Sequence, residues 1–93
     1  MRIRATLKVK LDGGRKNPIL SSYRPTFRFG FDNQSDCEVI VISGYSIKPG
    51  DTGVVEILIL HPENIGNIRV YDNFTLTEGL KEVAKGSVIY ILD

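Results

Sequence analysis

The stretch MRIRATLKVKL at residues 1–11 alternates apolar and polar side chains from its second residue onwards. The apolar set is Ile3, Ala5, Leu7, Val9 and Leu11, and the polar set is Arg2, Arg4, Thr6, Lys8 and Lys10. A period of two places the two sets on opposite faces of an extended chain, so residues 1–11 are predicted to form a half-buried strand.

The stretch RPTFRFGF at residues 24–31 repeats this alternation and predicts a second strand. Its predicted inward side chains are Phe27, Phe29 and Phe31, and its outward side chains are Thr26 and Arg28. Three phenyl rings on one face are typical of the interior of a small barrel.

The rest of the chain continues the pattern of short strands separated by turn residues. Segments rich in β-branched or aromatic residues predict strands at 38–42, 53–61, 67–71, 74–78 and 87–92. Residues 78–85 are read as a loop or short strand because they contain Gly79. No segment has helical periodicity, which leaves a closed barrel or a sandwich. A closed antiparallel barrel of about six strands is favoured because it removes exposed sheet edges, and residues 1–93 are predicted to form one domain.

Charge is divided unevenly along the chain, although the net charge is only +1. Residues 1–28 contain eight basic residues and one acidic residue, whereas residues 29–93 contain four basic and ten acidic residues. Such an asymmetry indicates either an electrostatic partner or mutual neutralisation within one small domain.

Residue types needed for several functions are scarce. The lone Cys37 excludes an internal disulfide, and its neighbours Asp36 and Glu38 are expected to make the thiol less reactive. The lone His61 has no evident catalytic or metal-binding partner, and no glycine-rich phosphate loop is present. We therefore expect no enzyme activity, no cofactor and no metal. The longest apolar run, residues 88–92, is far shorter than a membrane span, and no secretory signal is visible, so no membrane partner and a cytoplasmic location are expected.

The basic residues of the first two predicted strands define a candidate binding surface. If these strands pair in an antiparallel manner, their outward cations line one face: Arg2, Arg4, Lys8, Lys10, Arg24 and Arg28. Arg15 and Lys16 then lie in the loop at its end. Such a face suits phosphate groups. The alternative is that outward charges only keep the strands soluble and block edge pairing.

Short motifs in a fixed order resemble the C-terminal β-barrel domain of bacterial elongation factor Tu over essentially the whole chain. The motifs are GGR at 13–15 with Pro18, YRPTFRF at 23–29, KPGD at 48–51, ILHP at 59–62, FTLTEG at 74–79 and GSV at 86–88. The resemblance implies a Greek-key type antiparallel barrel. It implies no GTP binding, because the GTPase domain of that factor has no counterpart in these residues.

The resemblance also implies a set of contact residues, because the family barrel touches the T-stem backbone of aminoacyl-tRNA. The matching positions in this chain are Arg15, Lys16, Thr26, Ser35 and Gly86. Three of them are replacements: Lys16 for histidine, Thr26 for glutamine and Ser35 for threonine.

Two functional hypotheses follow from the charge pattern and the resemblance. The first is a non-catalytic module that binds tRNA, another structured RNA or a translation-related protein through its basic face. The second is a protein-only module that mimics elongation factor Tu towards an exchange factor, a regulator or a toxin.

Overall fold

The fold is built almost entirely from β-strands in the computed structural model, which describes residues 1–93. The strands are β1 (Arg2–Val9), β2 (Ile19–Leu20), β3 (Thr26–Phe29), β4 (Asn33–Val41), β5 (Ser46–Ile47), β6 (Thr52–Ile59), β7 (Asn73–Glu78) and β8 (Lys81–Ile91). One 3₁₀ turn, Pro62–Asn64, follows β6. No helix has the length and apolar character needed to cross a membrane.

Six strands close an antiparallel barrel in the order β1-β6-β4-β3-β7-β8, which confirms the predicted all-β class and barrel architecture. The closing strand is β1, which pairs with β6 on one side and β8 on the other. Strands β2 and β5 form a separate two-stranded ribbon that the sequence did not predict.

The core fills the barrel with the inward side chains of each strand. Ile3, Ala5, Leu7 and Val9 are all fully buried, as the alternation of residues 1–11 predicts. The rings of Phe27 and Phe74 stack with centroids 4.6 Å apart. The inward face of the opening stretch therefore supplies one wall of a single apolar cluster.

Two predicted inward residues are in fact outside the barrel. Phe31 is 91% exposed because Gly30 takes a φ of 71° and turns the chain into the β3–β4 hairpin. Leu11 lies beyond the end of β1 and is also exposed. Period-two counting fails at both places because the strand has already ended.

The strand predicted at 67–71 is wrong, because this segment is irregular. The buried residues in and just before this segment, Ile65 and Ile68, are three residues apart. A strand would instead bury every second residue. The segment covers the core without joining the barrel.

Strand β8 begins six residues before the predicted 87–92 strand, at Lys81. Consecutive Val83 and Ala84 are both buried, since the β7–β8 register shifts between Leu76 and Thr77. A bulge of this kind interrupts the period-two pattern that sequence reasoning uses. Gly79, with a φ of 62°, is the first of two residues in the hairpin loop, where type II′ turns require a positive φ.

Strand β4 likewise begins before the predicted 38–42, at Asn33. Its first residues are polar, and for this reason their sequence does not indicate a strand. Ser35 is buried among them, but its hydroxyl donates to the Asp36 carbonyl at 2.8 Å and accepts from the His61 amide at 2.9 Å. These two hydrogen bonds satisfy the hydroxyl and compensate for its burial.

Gly86 is required by close packing at the middle of β8. A Cβ atom at this position would lie 2.2 Å from Cζ of Phe74 and 2.7 Å from the carbonyl oxygen of Thr6. Because the carbonyl belongs to the β1 backbone, the neighbour cannot move without disturbing the closing strand. Gly86 therefore lets β1 and β7 approach β8 closely.

We predict that Gly86→Ala lowers the free energy of unfolding by about 2 kcal/mol or more, through overpacking against Phe74 and β1. Chemical denaturation measures the change. In the double variant Gly86→Ala/Phe74→Leu the ring is shortened, so the combined loss should be smaller than the sum of the two single losses. Additive losses would contradict this packing explanation.

Candidate nucleic-acid interface

Half of the six cations predicted to form one face are ion-paired on the barrel surface. Glu56 on β6 lies opposite Arg4 in the β1–β6 register and accepts from its guanidinium at 2.8 Å, while Arg2 is 4.0 Å away. Arg24 lies 3.2 Å from Glu38 on β4. Two carboxylates of the acidic part of the chain therefore lie beside these three arginines, and the Arg2 contact is the longest of the three.

The expected pairing of the first two predicted strands is wrong. β1 pairs with β6 and β8, and β3 pairs with β4 and β7, so β1 and β3 are not neighbours. The six cations therefore do not form one continuous face. They separate into the paired arginines, Arg2, Arg4 and Arg24, and the side chains Lys8, Lys10 and Arg28.

Arg15 belongs to a compact cluster with Tyr23 and Glu78. Its Nη1 lies 2.6 Å from the Glu78 carboxylate, which also accepts a hydrogen bond from the Tyr23 hydroxyl. The guanidinium stacks 4.3 Å above the Tyr23 ring. The hydrogen bond from Tyr23, together with Arg15, holds the pKa of Glu78 below its usual value, whereas burial and the same carboxylate raise the pKa of Tyr23.

A different set of cations is brought together by strand register. Arg28 on β3 is opposite Thr75 on β7, Thr75 is opposite Lys85 on β8, and Lys85 is opposite Lys8 on β1. One row across four strands thus carries three cationic side chains on the outer face of the barrel. Lys10 follows Lys8 on the same face, and we call Lys8, Lys10, Arg28 and Lys85 the cationic strip.

Three of the four cations in the cationic strip have no carboxylate partner. Lys8, Lys10 and Arg28 make no ion pair within 4.0 Å, and Lys85 only reaches Glu82 at 4.0 Å. Lys8 and Lys85 are also directly opposite each other, an arrangement of like charges that destabilises a sheet. The strip is therefore a place where an external anion relieves repulsion.

Two grooves flank the strip and share Lys85. The larger groove, of about 510 Å³, is lined by Arg28, Gly30, Asn73, Phe74, Thr75, Lys85 and Gly86. The smaller, of about 260 Å³, is lined by Lys8, Val9, Lys10, Leu11, Glu82 and Lys85. An anionic ligand in these grooves can bind to the cations, to the Thr75 hydroxyl and to the Asn73 amide.

The five positions implied by the resemblance are distributed over three recesses. Arg15 and Lys16 line one of about 530 Å³. Thr26 and Ser35 line another of about 210 Å³ beside His61. Gly86 lies in the groove beside the strip. Only Gly86 therefore adjoins the cationic strip.

Sequence reasoning missed Lys85, which lies in the middle of the strip. The sequence predicts a loop or short strand at 78–85, and it therefore does not predict that Lys85 points outward beside Lys8. A period of two places Lys81, Val83 and Lys85 on one face, and only the bulge at Val83 allows Val83 to be buried while Lys85 points outward.

The remaining reactive side chains lie apart from the strip. The Cys37 thiol is buried and donates a weak hydrogen bond to the Pro25 carbonyl at 3.4 Å. Burial, with a smaller contribution from Asp36, raises its pKa to about 12. His61 follows β6 with Nδ1 at 3.5 Å from Glu63. No group of three or more His, Cys, Asp or Glu side chains forms a potential metal site.

No known family model matches the chain.

We predict that Cys37 reacts with thiol reagents at neutral pH only as fast as the protein unfolds, because the thiol is buried and protonated. Labelling followed by mass spectrometry, with and without denaturant, measures this rate. Tyr45→Cys in a Cys37→Ala background is the control, since residue 45 is 88% exposed. Fast labelling of Cys37 in the folded protein would contradict the prediction.

We predict that Glu78→Gln destabilises the protein more at pH 7 than at pH 3. A carboxylate with a lowered pKa adds stability above its unfolded-state pKa, and this stability is lost as the pH falls through the folded-state value. Because the Glu78 side chain is 36% exposed, Glu78→Gln should lower the free energy of unfolding at pH 7 by only about 1 kcal/mol.

Denaturant titrations at both pH values test this prediction for Glu78. Glu63→Gln removes an exposed carboxylate outside the cluster and is the control. An equal loss at both pH values would show that Arg15 and Tyr23 do not depend on the ionised carboxylate.

Proposed function

We propose that this protein is a non-catalytic RNA-binding module that contacts RNA phosphates through the cationic strip. The observation that carries the proposal is the row of Arg28, Lys85 and Lys8, three cations in one cross-strand register, of which Arg28 and Lys8 make no ion pair and Lys85 has only Glu82 at 4.0 Å. Other cations of the basic first third, Arg2, Arg4, Arg15 and Arg24, are paired with Glu56, Glu78 or Glu38.

The chemistry of the strip fits a phosphodiester backbone. Arg28 offers a planar fork for two phosphate oxygens, and Lys8 and Lys85 offer compact charges. Thr75, between Arg28 and Lys85, adds a hydroxyl. All four residues lie on strands of a closed barrel, so little ordering is needed before an anion binds.

The resemblance to the last barrel of elongation factor Tu supports RNA as the source of the phosphates, and tRNA or another structured RNA as the first ligand to test. In this proposal the strip supplies most of the binding energy, since Arg15 already has a carboxylate partner. The second hypothesis, a protein-only mimic of that factor, leaves the strip without a phosphate ligand.

We predict that the protein binds tRNA at low salt and that the double variant Lys8→Gln/Arg28→Gln weakens binding. Each phosphate contact contributes about 0.7 to 0.9 to the slope of log K against log salt, so the variant should reduce the slope by about 1.4 to 1.8. Fluorescence anisotropy over a salt series measures both quantities.

The double variant Arg2→Gln/Arg24→Gln is the matched control, because it removes the same charge from β1 and the segment before β3. Its slope should remain close to that of the unchanged protein. Equal effects of both pairs would show that only total charge matters. Absence of salt-dependent binding, together with nuclease-insensitive recovery of protein complexes from lysate, would replace this proposal with the protein-only mimic.

A further inference from the structure

Two aromatic side chains stand in solvent at one end of the larger groove. Phe31 is 91% exposed and Tyr71 is 83% exposed. Phe31 follows Gly30, and Tyr71 precedes Asn73 by two residues; Gly30 and Asn73 both line the groove beside Arg28 and Lys85. Phe31 and Tyr71 therefore lie next to the Gly30–Asn73 end of this groove, which is also lined by the strip residues Arg28 and Lys85.

Tyr71 is held outside the core by a fixed turn. Its φ of 74° lies in the left-handed region, which is rare for a bulky side chain. The Tyr71 amide donates to the Val88 carbonyl at 2.8 Å, and the Val88 amide donates to the Asp72 carbonyl at 3.0 Å. The Asp72 carboxylate accepts from the Arg69 amide at 2.8 Å. The backbone thus maintains an unfavourable conformation in which the ring is exposed.

Phe31 is exposed by equally local causes. Gly30 reverses the chain at the tip of the β3–β4 hairpin, so Phe31 leaves the row of inward phenylalanines. A fully exposed phenyl ring gains nothing from the hydrophobic effect in the free protein. Its neighbour Gly30 lines the groove together with Arg28 and Lys85, and an exposed ring next to such a groove suits a ligand with both negative charge and an aromatic face.

We propose that Phe31 and Tyr71 stack on unpaired bases, and that the preferred ligand of the cationic strip is single-stranded RNA or an unpaired segment of a structured RNA. This inference rests on the proposed RNA-binding function and specifies its ligand. Each base of a single strand offers a free π-face, whereas bases inside a duplex are stacked on each other. Duplex RNA can use the cations but not the two rings.

The direction of the strip is compatible with this ligand. From Arg28 on β3 to Lys8 on β1 the row crosses three strand intervals, a span of about 14 Å at ordinary strand spacing. A strand of RNA that follows the row keeps its phosphates on Arg28, Lys85 and Lys8. Gly30 and Asn73 lie two residues along their strands from Arg28 and Thr75, so the bases of a nucleotide whose phosphate lies on Arg28 turn out of the row, along the strands, to reach Phe31 and Tyr71 at the end of the groove.

The test compares a fluorescein-labelled uridine oligonucleotide of about twelve nucleotides with a blunt RNA duplex of the same strand length. The variants are Phe31→Ser and Tyr71→Asn; asparagine is chosen because it tolerates the left-handed conformation. Tyr45→Ser is the matched control, since Tyr45 is equally exposed but no residue within two positions of it lines either groove.

Each variant at the groove should weaken binding of the oligonucleotide by about fivefold or more, the lower end of the effect of removing one base–aromatic stack. The salt slope should not change, because no charge is removed. Binding of the duplex should be weaker than that of the oligonucleotide and unaffected by either variant. Tyr45→Ser should change nothing. Circular dichroism and thermal unfolding establish that each variant is folded.

The outcomes separate this inference from the function on which it rests. If Lys8→Gln/Arg28→Gln weakens binding of both RNAs while Phe31→Ser and Tyr71→Asn affect neither, the strip binds phosphates and the stacking inference is overturned. If neither RNA binds with a salt dependence, the proposed function itself fails and the stacking inference fails with it.

Discussion

The insertion of β1 between β6 and β8 is the constraint on which the rest of the structure depends. This single strand closes the barrel, and its inward side chains Ile3, Ala5, Leu7 and Val9 supply one wall of the core. The same pairing fixes the outer surface, because it sets Arg4 against Glu56 on one side and Lys8 against Lys85 on the other. Closure therefore decides which cations of β1 are neutralised and which remain free.

The net charge of +1 hides two electrostatic environments. Carboxylates on β4, β6 and β7 neutralise arginines that come from the first third of the chain, as in the Arg24–Glu38, Arg4–Glu56 and Arg15–Glu78 pairs. Mutual neutralisation thus accounts for part of the charge asymmetry. The unpaired cations of the first third include Lys8 and Arg28, which lie in one register row with Lys85, and this row attracts an incoming anion.

The barrel could be predicted from sequence because most strands keep their alternation, whereas the candidate site could not. The alternation of buried and outward side chains is regular along β1 and β6, but the bulge at Val83, the polar opening of β4 and the turn at Gly30 each break the period where a strand bends, begins or ends. The site depends on strand order. Lys8 and Lys85 are far apart in sequence, and nothing local indicates that β8, rather than β3, lies beside β1.

Three of the five positions implied by the resemblance have a structural role in this barrel. Gly86 has no room for a side chain, the Ser35 hydroxyl bridges two backbone groups, and Arg15 is held by Glu78. The packing and hydrogen bonds of this barrel are sufficient to explain the residues at these three positions, so these positions do not indicate the ligand. The cationic strip and the rings of Phe31 and Tyr71 have no comparable role in stabilising the barrel. The ligand is therefore to be sought at that surface, where exposed charges and aromatic rings do not stabilise the folded barrel.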